Sequence, residues 1–446
     1  MSGVVFWFRS DLRLHDQLAL QAAIRPAQPS DGWLLPVFVH DPAQHAPTHW
    51  GFARTSPHRQ AWLHSALGDL AAQLTALGST LLQCHGDPAT VLPALVRALG
   101  QPPLVCEDIA APEEQASVQA MRHAGIRVQT VWQSTLLAPD SLPFAPEQVS
   151  DTFTVFRQQL EHARVQAPAP LPVPRQLPPL PPAELLAQAC SAVQSHPTDA
   201  PAPTPSGHWP SDARSAFPCQ QPAFHGGERA ALAHLQRYCE RRLPHTYKTT
   251  RNGLMGADYS SKWSPWLATG ALSARQAWAA IRTFEDAHGA NDSTYWLWFE
   301  LLWRDHFRWL HRKYGARLYR ASGLLAPQPP LPHDPVTFAR WCAGRTGHAF
   351  IDAGMRELST TGYLSNRMRQ NVASYLIHDL RCDWRAGAAW FEAQLLDYDP
   401  YSNQGNWLYL SGRGTDPRGS RRFNPDKQAH DYDPDGAYRR LWASAP

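Results

Sequence analysis

Along the first 135 residues, short apolar runs alternate with stretches of helical period. Runs at 4–8 (VVFWF), 33–39 (WLLPVFV), 80–84 (TLLQC), 103–109 (PLVCEDI) and 127–132 (RVQTVW) predict strands. Between the second and third, Trp62, Leu63, Ala66, Leu67, Leu70, Leu74 and Leu77 recur at helical spacing, and shorter patterns cover 88–99 and 112–124. Such alternation implies right-handed crossovers and a parallel sheet, so a doubly wound α/β domain is expected over 1–135. The first strand is followed by FRSDLRLHDQ rather than by GxGxxG, whose glycines let backbone approach a pyrophosphate. The sheet is therefore not an ordinary dinucleotide site.

Twelve prolines fall within 166–206, which predicts an extended connector, neither helix nor strand, inside a linker spanning 136–225. From Gly227 the periodicity is helical, over 227–242, 265–285, 293–313, 335–343, 352–361, 365–379 and 385–396. An all-α domain is expected over 226–446, and no internal repeat is visible. DYDPYSNQGNW, from Asp397 to Trp407, reads as a turn or loop because Asp-Pro, Ser-Asn and Gly-Asn pairs favour turns. Calcium does not suit it, since Tyr401, Ser402 and Leu408 stand where a calcium loop needs an oxygen ligand, Gly and Glu.

Charge separates the halves. Residues 1–224 hold 12 Lys+Arg and 17 Asp+Glu; residues 225–446 hold 29 and 21, with 12 of the 18 tryptophans. The second half is the candidate polyanion binder, with aromatics beside its arginines for unstacked bases or a planar cofactor. Seven scattered cysteines without CxxC argue against a disulfide framework, and no His, Cys or carboxylate spacing recommends a metal. No run of eighteen apolar residues and no signal-peptide pattern is present, so a soluble, cytoplasmic chain is expected.

Three segments could carry chemistry. In DYSSKWSPWLATGALSAR, Ser260, Ser261 and Ser264 surround Lys262 just before Pro265; hydroxyls, a cation and free N–H groups could meet a phosphate there, or Ser264 could simply cap a helix. In STYWLWFELLWRDHFRWL, Glu300, Trp303, Arg304 and Phe307 share a helical face, as a site or as an i, i+4 ion pair among core aromatics. In MRELSTTGYLSNRMRQ, Gly362 ends one helix and Ser365 caps the next, whose first turn carries Asn366, Arg367, Arg369 and Gln370. Two arginines there oppose the helix dipole and suggest an anionic ligand.

These segments occur in one order with FWFRSDLRLHD, DWRAGAAWF and DYDPYSNQGNWLY, and the chain strongly resembles the photolyase/cryptochrome family. YKTTRNGLMGADYS, NDSTYW and SNQGNWLYLSGRGTDPR resemble its cryptochrome DASH branch, and the likeness is weakest over 136–225. The resemblance implies an α/β antenna domain, a connector, and a helical domain binding FAD and DNA. By similarity, Ser260, Ser261, Lys262 and Ser264 hold the flavin pyrophosphate and Tyr247 lines the cavity. Arg369 and Asp397 pair beside the isoalloxazine, Asn366 and Asp399 contact the flavin, and Asn403 faces its N5. Glu300, Trp303, Arg304, Arg367, Gln370 and Tyr409 match the pocket for a cyclobutane pyrimidine dimer. The implied activity is blue-light repair, in which reduced flavin lends an electron to the dimer; the damaged bases must leave the stack to meet it. Double-strand-repairing relatives more often carry Met and Trp at the Gln370 and Tyr409 positions, so lesions in single-stranded DNA are the expected substrate.

Two positions depart from the family. Its photoreduction chain uses three tryptophans; Trp407 and Trp384 match the inner two, but Leu331 falls at the outermost, leaving Trp309, Tyr319 or Trp341 for the last hop, or weak photoreduction. The antenna folate, 5,10-methenyltetrahydrofolate, commonly meets a Glu where this chain places Ile109, with Glu107 two residues earlier, which leaves the antenna open. The alternative to repair is a photosensory cryptochrome; the absence of a long tail after Asp431 favours repair. A monomer is expected.

Overall fold

The computed structural model describes residues 3–28, 32–194, 212–327 and 331–443. Its N-terminal part is built on an all-parallel sheet in the order β3-β2-β1-β4-β5, formed by β1 (Gly3–Phe8), β2 (Trp33–His40), β3 (Leu82–His85), β4 (Leu104–Glu107) and β5 (Val128–Val131). Central β1 is buried at every position, so its run is apolar throughout instead of alternating. Helices α1 (Leu18–Ile24) and α2 (Pro57–Ala76) pack on the face of Phe6 and Phe8, while α3 (Pro88–Ala98) and α4 (Pro112–His123) pack on that of Val5 and Trp7. This is the doubly wound arrangement expected.

After α5 (Phe153–His162), residues 166–182 run without helix or strand, pinned by Asp16 N–H to Leu171 O (2.8 Å) and Leu34 N–H to Pro179 O (2.9 Å). The expectation that no helix interrupts the proline-rich connector fails at α6 (Ala183–Gln194). AELLAQACSAVQ contains no proline, and Leu185, Leu186 and fully buried Ala189 pack at helical spacing on the α3 side of the sheet. The connector's remainder, 195–206, lies outside the described residues.

The second part comprises α7 (Glu228–Glu240), α8 (Tyr247–Thr250), α9 (Ser264–Thr269), α10 (Ala274–His288), α11 (Asp292–Tyr314), α12 (Pro335–Cys342), α13 (Ala349–Thr361), α14 (Asn366–Ser374), α15 (Trp384–Gln394), α16 (Pro400–Ser411), α17 (Pro425–Tyr432) and α18 (Ala437–Leu441). Among the described residues it contains no strand. The period over 265–285 is two helices, because Gly270 turns left-handed (φ +71°) where a Cβ would come 2.0 Å from Ser10 O. The helix expected over 365–379 leaves α geometry at Ser374 for a π-helical turn, Tyr375–Asp379.

DYDPYSNQGNW is mostly helix, not loop. Asp399 caps α16 by accepting the Ser402 N–H, and Pro400 opens it at a position that needs no N–H donor. Gly405 lies inside it because a Cβ would come 2.2 Å from the Phe307 ring of α11.

FRSDLRLHD forms the seam between the two parts. Asp16 pairs with Arg275 at 2.8 Å, Arg13 donates to Gly270 O at 2.9 Å, and Glu228 accepts the N–H groups of Leu14 (2.9 Å) and His15 (3.0 Å). Asp305 of α11 likewise accepts those of Leu136 (2.9 Å) and Leu137 (3.1 Å). The first βα turn thus holds the helical part where a dinucleotide fold would hold phosphate. All seven cysteines are unbridged, and no helix among the described residues is long and apolar enough to cross a membrane.

Candidate functional site

Lys262 has no structural reason to be where it is. Its backbone is left-handed (φ +58°), a strain on the order of 1 kcal/mol for a residue with a Cβ, and it is 2% exposed. Its Nζ makes no hydrogen bond and lies over the rings of Tyr259 (3.2 Å to the centroid) and Tyr363 (5.0 Å). Burial pushes its pKa well below the lysine range, with the Glu357 carboxylate the leading opposing charge. Of the neighbouring serines, Ser264 is not the cap: it is the first residue of α9, and the preceding Trp263 offers no side-chain bond. No hydrogen bond among the described residues occupies the hydroxyls of Ser260, Ser261 or Ser264, while Ser261 O accepts from His234 Nε2 at 2.9 Å.

Arg369, in the first turn of α14, donates from Nη2 to Asp397 Oδ2 (2.9 Å) and from Nε to Leu364 O (2.8 Å), with its guanidinium 5.7 Å from the Tyr363 ring. The Asp397 side chain is 1% exposed, yet its Oδ1 has no partner. Asn366 is exposed at the head of α14, which Ser365 caps. On α16, Asn403 donates to Ala388 O at 3.0 Å, and one turn later buried Trp407 meets Phe391 edge to face at 5.1 Å. Gly387 is required beneath that indole, since a Cβ there would come 2.2 Å from it. Trp384 is buried and donates to Ala321 O at 3.2 Å.

Tyr247 is buried within electrostatic reach of Tyr363 and of the ion pair between Glu300 and Arg251. Burial raises the Glu300 pKa and outweighs Arg251. Trp303 stacks on Phe153 (3.8 Å, 12°) and meets Tyr409 edge on at 6.0 Å; with Phe307 they line a cavity of about 200 Å³. The Tyr409 hydroxyl accepts from Arg418 (3.0 Å) and Arg421 (2.8 Å). Arg367 donates to Gln370 Oε1 (3.0 Å) and Asn252 Oδ1 (2.9 Å) and lies over Tyr432.

Arg304 and Asp399 are not with this group. Arg304 makes no ion pair with Glu300; it donates to the carbonyls of Ser134 and Leu267. Asp399 is engaged by Arg308 (3.2 Å to each oxygen) and by its own helix start. Both border an interdomain cavity of about 820 Å³ that also meets Arg9, Glu107 and Ile109. Glu107 is 2% exposed with Oε2 unpartnered, and burial pushes its pKa up to about 8.

Among the aromatics considered as outer electron carriers, Trp341 stacks on Phe391 (6.4 Å, 17°), one ring from Trp407. Trp309 instead stacks on Trp132 and Tyr319 meets His311. Leu331 packs, partly buried, on the cluster containing Trp384.

An unbonded buried ammonium, open hydroxyls, a carboxylate oxygen left free by its arginine, and tyrosine faces suit a planar, anionic group such as FAD. Tyr259, Tyr363, Glu357, Arg251 and Phe153 were not singled out from the sequence. The first four lie inside motifs that were, in DYSSK, TTGYLSN, MREL and YKTTRNGLMGADYS, so proximity to those motifs was the available signal.

Two family models match: DNA photolyase over residues 4–175 and the FAD binding domain of DNA photolyase over residues 296–445. The chain is 42% identical to cryptochrome DASH of Gloeobacter violaceus, over 98% of this chain and 85% of that one. It is 43% identical to cryptochrome DASH of Xenopus laevis, over 98% and 82%. It is similar to the crystal structure of the Synechocystis cryptochrome (TM-score 0.86, 40% identity, covering 99% and 88%). It is also similar to that of a class III photolyase from Agrobacterium tumefaciens (0.75, 28%, 99% and 86%). The chain belongs to the photolyase/cryptochrome family, in its cryptochrome DASH branch.

Proposed function

We propose that the protein repairs cyclobutane pyrimidine dimers under blue light, chiefly in single-stranded DNA. The supporting observation is that buried Tyr247 lies within electrostatic reach both of the Glu300–Arg251 pair and of Tyr363, the ring under the Lys262 amine. FAD supplies light absorption and a transferable electron when bound. Lys262, Ser260, Ser261 and Ser264 hold its pyrophosphate, and Asn366, Arg369, Asp397 and Asn403 address its ring system. Asp399 acts through Arg308 and the start of α16 rather than by facing the ring.

Trp303, one face of which Phe153 covers, and Tyr409 beside it line the cleft offered to flipped-out pyrimidines. Glu300, whose pKa burial raises, is the acid placed to hydrogen-bond a pyrimidine carbonyl where negative charge develops. Arg367 and Gln370, bonded to each other at the start of α14, offer polar contacts to the lesion, and exposed Arg418 and Arg422 supply cations to flanking phosphates. Arg304 supports the interdomain cavity. That cavity is the proposed seat of a methenyltetrahydrofolate antenna, with Glu107 in place of Ile109 as its acid. A freshly purified protein with no near-UV folate band would remove the antenna.

The deciding experiment illuminates reduced FAD-loaded protein with a dimer-containing oligonucleotide, single-stranded and duplex. Ring splitting is expected in both, faster in the single strand. Its absence in both, with FAD bound, rejects repair in favour of a photoreceptor.

A further inference from the structure

Lys262 and Glu357 are both buried within electrostatic reach of each other, and among the described residues neither makes an ion pair. Glu357, on α13, is 1% exposed, and its carboxylate accepts a hydrogen bond from Tyr438 of α18 at 2.5 Å. Lys262 meets only ring faces. Isolated buried charges neutralise instead of persisting. Burial accordingly pushes Glu357 up to about 8 and Lys262 well down, and each is the other's leading opposite charge. Without a ligand the pair holds one proton between them, as ammonium with carboxylate or as amine with carboxylic acid; both forms carry zero net charge. An anion alters that count. It needs the ammonium and is repelled by the carboxylate, so the occupied pair holds two protons.

We propose that the Lys262–Glu357 pair takes up one proton when the cofactor's pyrophosphate binds, making cofactor affinity proton-linked. This rests on the reading that FAD lies at Lys262. The surrounding groups do not compete for the proton. Arg369 is held by Asp397, and Asp258 by Arg241 at 2.7 Å. Burial keeps His234 neutral, its pKa lowered to about 4, and pushes the phenols of Tyr259, Tyr363 and Tyr438 upward. The free pair binds fewer protons than the occupied pair, so affinity falls as pH rises.

The test equilibrates FAD-loaded protein at dilutions between about pH 6.5 and 8.5 and reads released flavin by fluorescence. The apparent Kd should rise about tenfold per pH unit, the signature of one proton. Lys262→Arg with Glu357→Gln, a fixed cation without an acid, should flatten the dependence. A flat wild-type profile overturns the proposal, as does an unchanged slope in the double variant. If that variant does not fold, calorimetric FAD titration of the wild type in two buffers of different ionisation enthalpy counts the proton directly, and zero uptake overturns it. Protein that holds no FAD at any pH sinks the cofactor reading itself; FAD held with no pH dependence sinks only this inference.

Discussion

The interdomain seam and the proposed cofactor pocket both bury charge, and they do so in opposite ways. At the seam, Asp16 meets Arg275, Glu228 accepts two backbone N–H groups and a histidine, and Asp305 accepts two more N–H groups. In the pocket, Lys262 Nζ and Asp397 Oδ1 are left without partners. Satisfied burial rigidifies, whereas unsatisfied burial costs on the order of 1–3 kcal/mol per group and persists where a ligand completes it. Arg275 Nη2 is also unpartnered, so what separates scaffold from site is that every carboxylate oxygen of Asp16, Glu228 and Asp305 is engaged while Asp397 Oδ1 and the Lys262 amine are not.

The seam should break hardest. Asp16→Ala strands the Arg275 guanidinium, 4% exposed, and places alanine at φ +50°, so about 3–5 kcal/mol of stability should be lost, read from denaturant midpoints of the flavin-free protein. A loss under about 1 kcal/mol would mean the seam is no more structural than the pocket. Lys262→Met should show the contrary pattern: unchanged or raised stability without flavin, and FAD bound about 10- to 100-fold more weakly. Equal loss of stability in both variants would erase the distinction.

The sheet and the order of helices were legible because burial on one stripe or on both faces leaves a period in the sequence. Where partners decide, no period forms. The proline-free stretch forming α6 was masked by flanking prolines, although Leu185, Leu186 and Ala189 already had helical spacing. Asp399-Pro400 signals a helix start as well as a turn, and Gly405 looked like a breaker until Phe307 came against it. Spacing placed Glu300 and Arg304 on one side of α11, but it could not show that Arg251 takes the first and the carbonyls of Ser134 and Leu267 the second. The pairing of Glu357 with Tyr438, 81 residues apart, is tertiary and leaves no local mark.

A flavin in the pocket also needs an electron supply. Trp407→Phe should nearly abolish light-driven flavin reduction, and Trp384→Phe should slow it about tenfold or more. Unchanged kinetics in Trp384→Phe would reject a retained chain through that indole. Trp341→Phe then tests a branch: with Leu331 aliphatic and Trp341 one ring from Trp407 through Phe391, further slowing in Trp341→Phe/Trp384→Phe over Trp384→Phe alone places Trp341 on a second route parallel to Trp384, and no further slowing leaves it off any route of its own.

Glu300 falls between the two regions, ion-paired to Arg251 yet with its pKa raised because burial outweighs that pair. If its proton is what stabilises the dimer, the useful form is present below its raised pKa and lost as pH climbs through it, so repair should decline on the alkaline side. Glu300→Gln keeps a hydrogen-bond donor without a titration, and should retain repair within a few-fold while flattening that decline. A wild-type profile that rises with pH would make Glu300 an acceptor in the cleft and assign its pairing with Arg251 to scaffold, as at the seam.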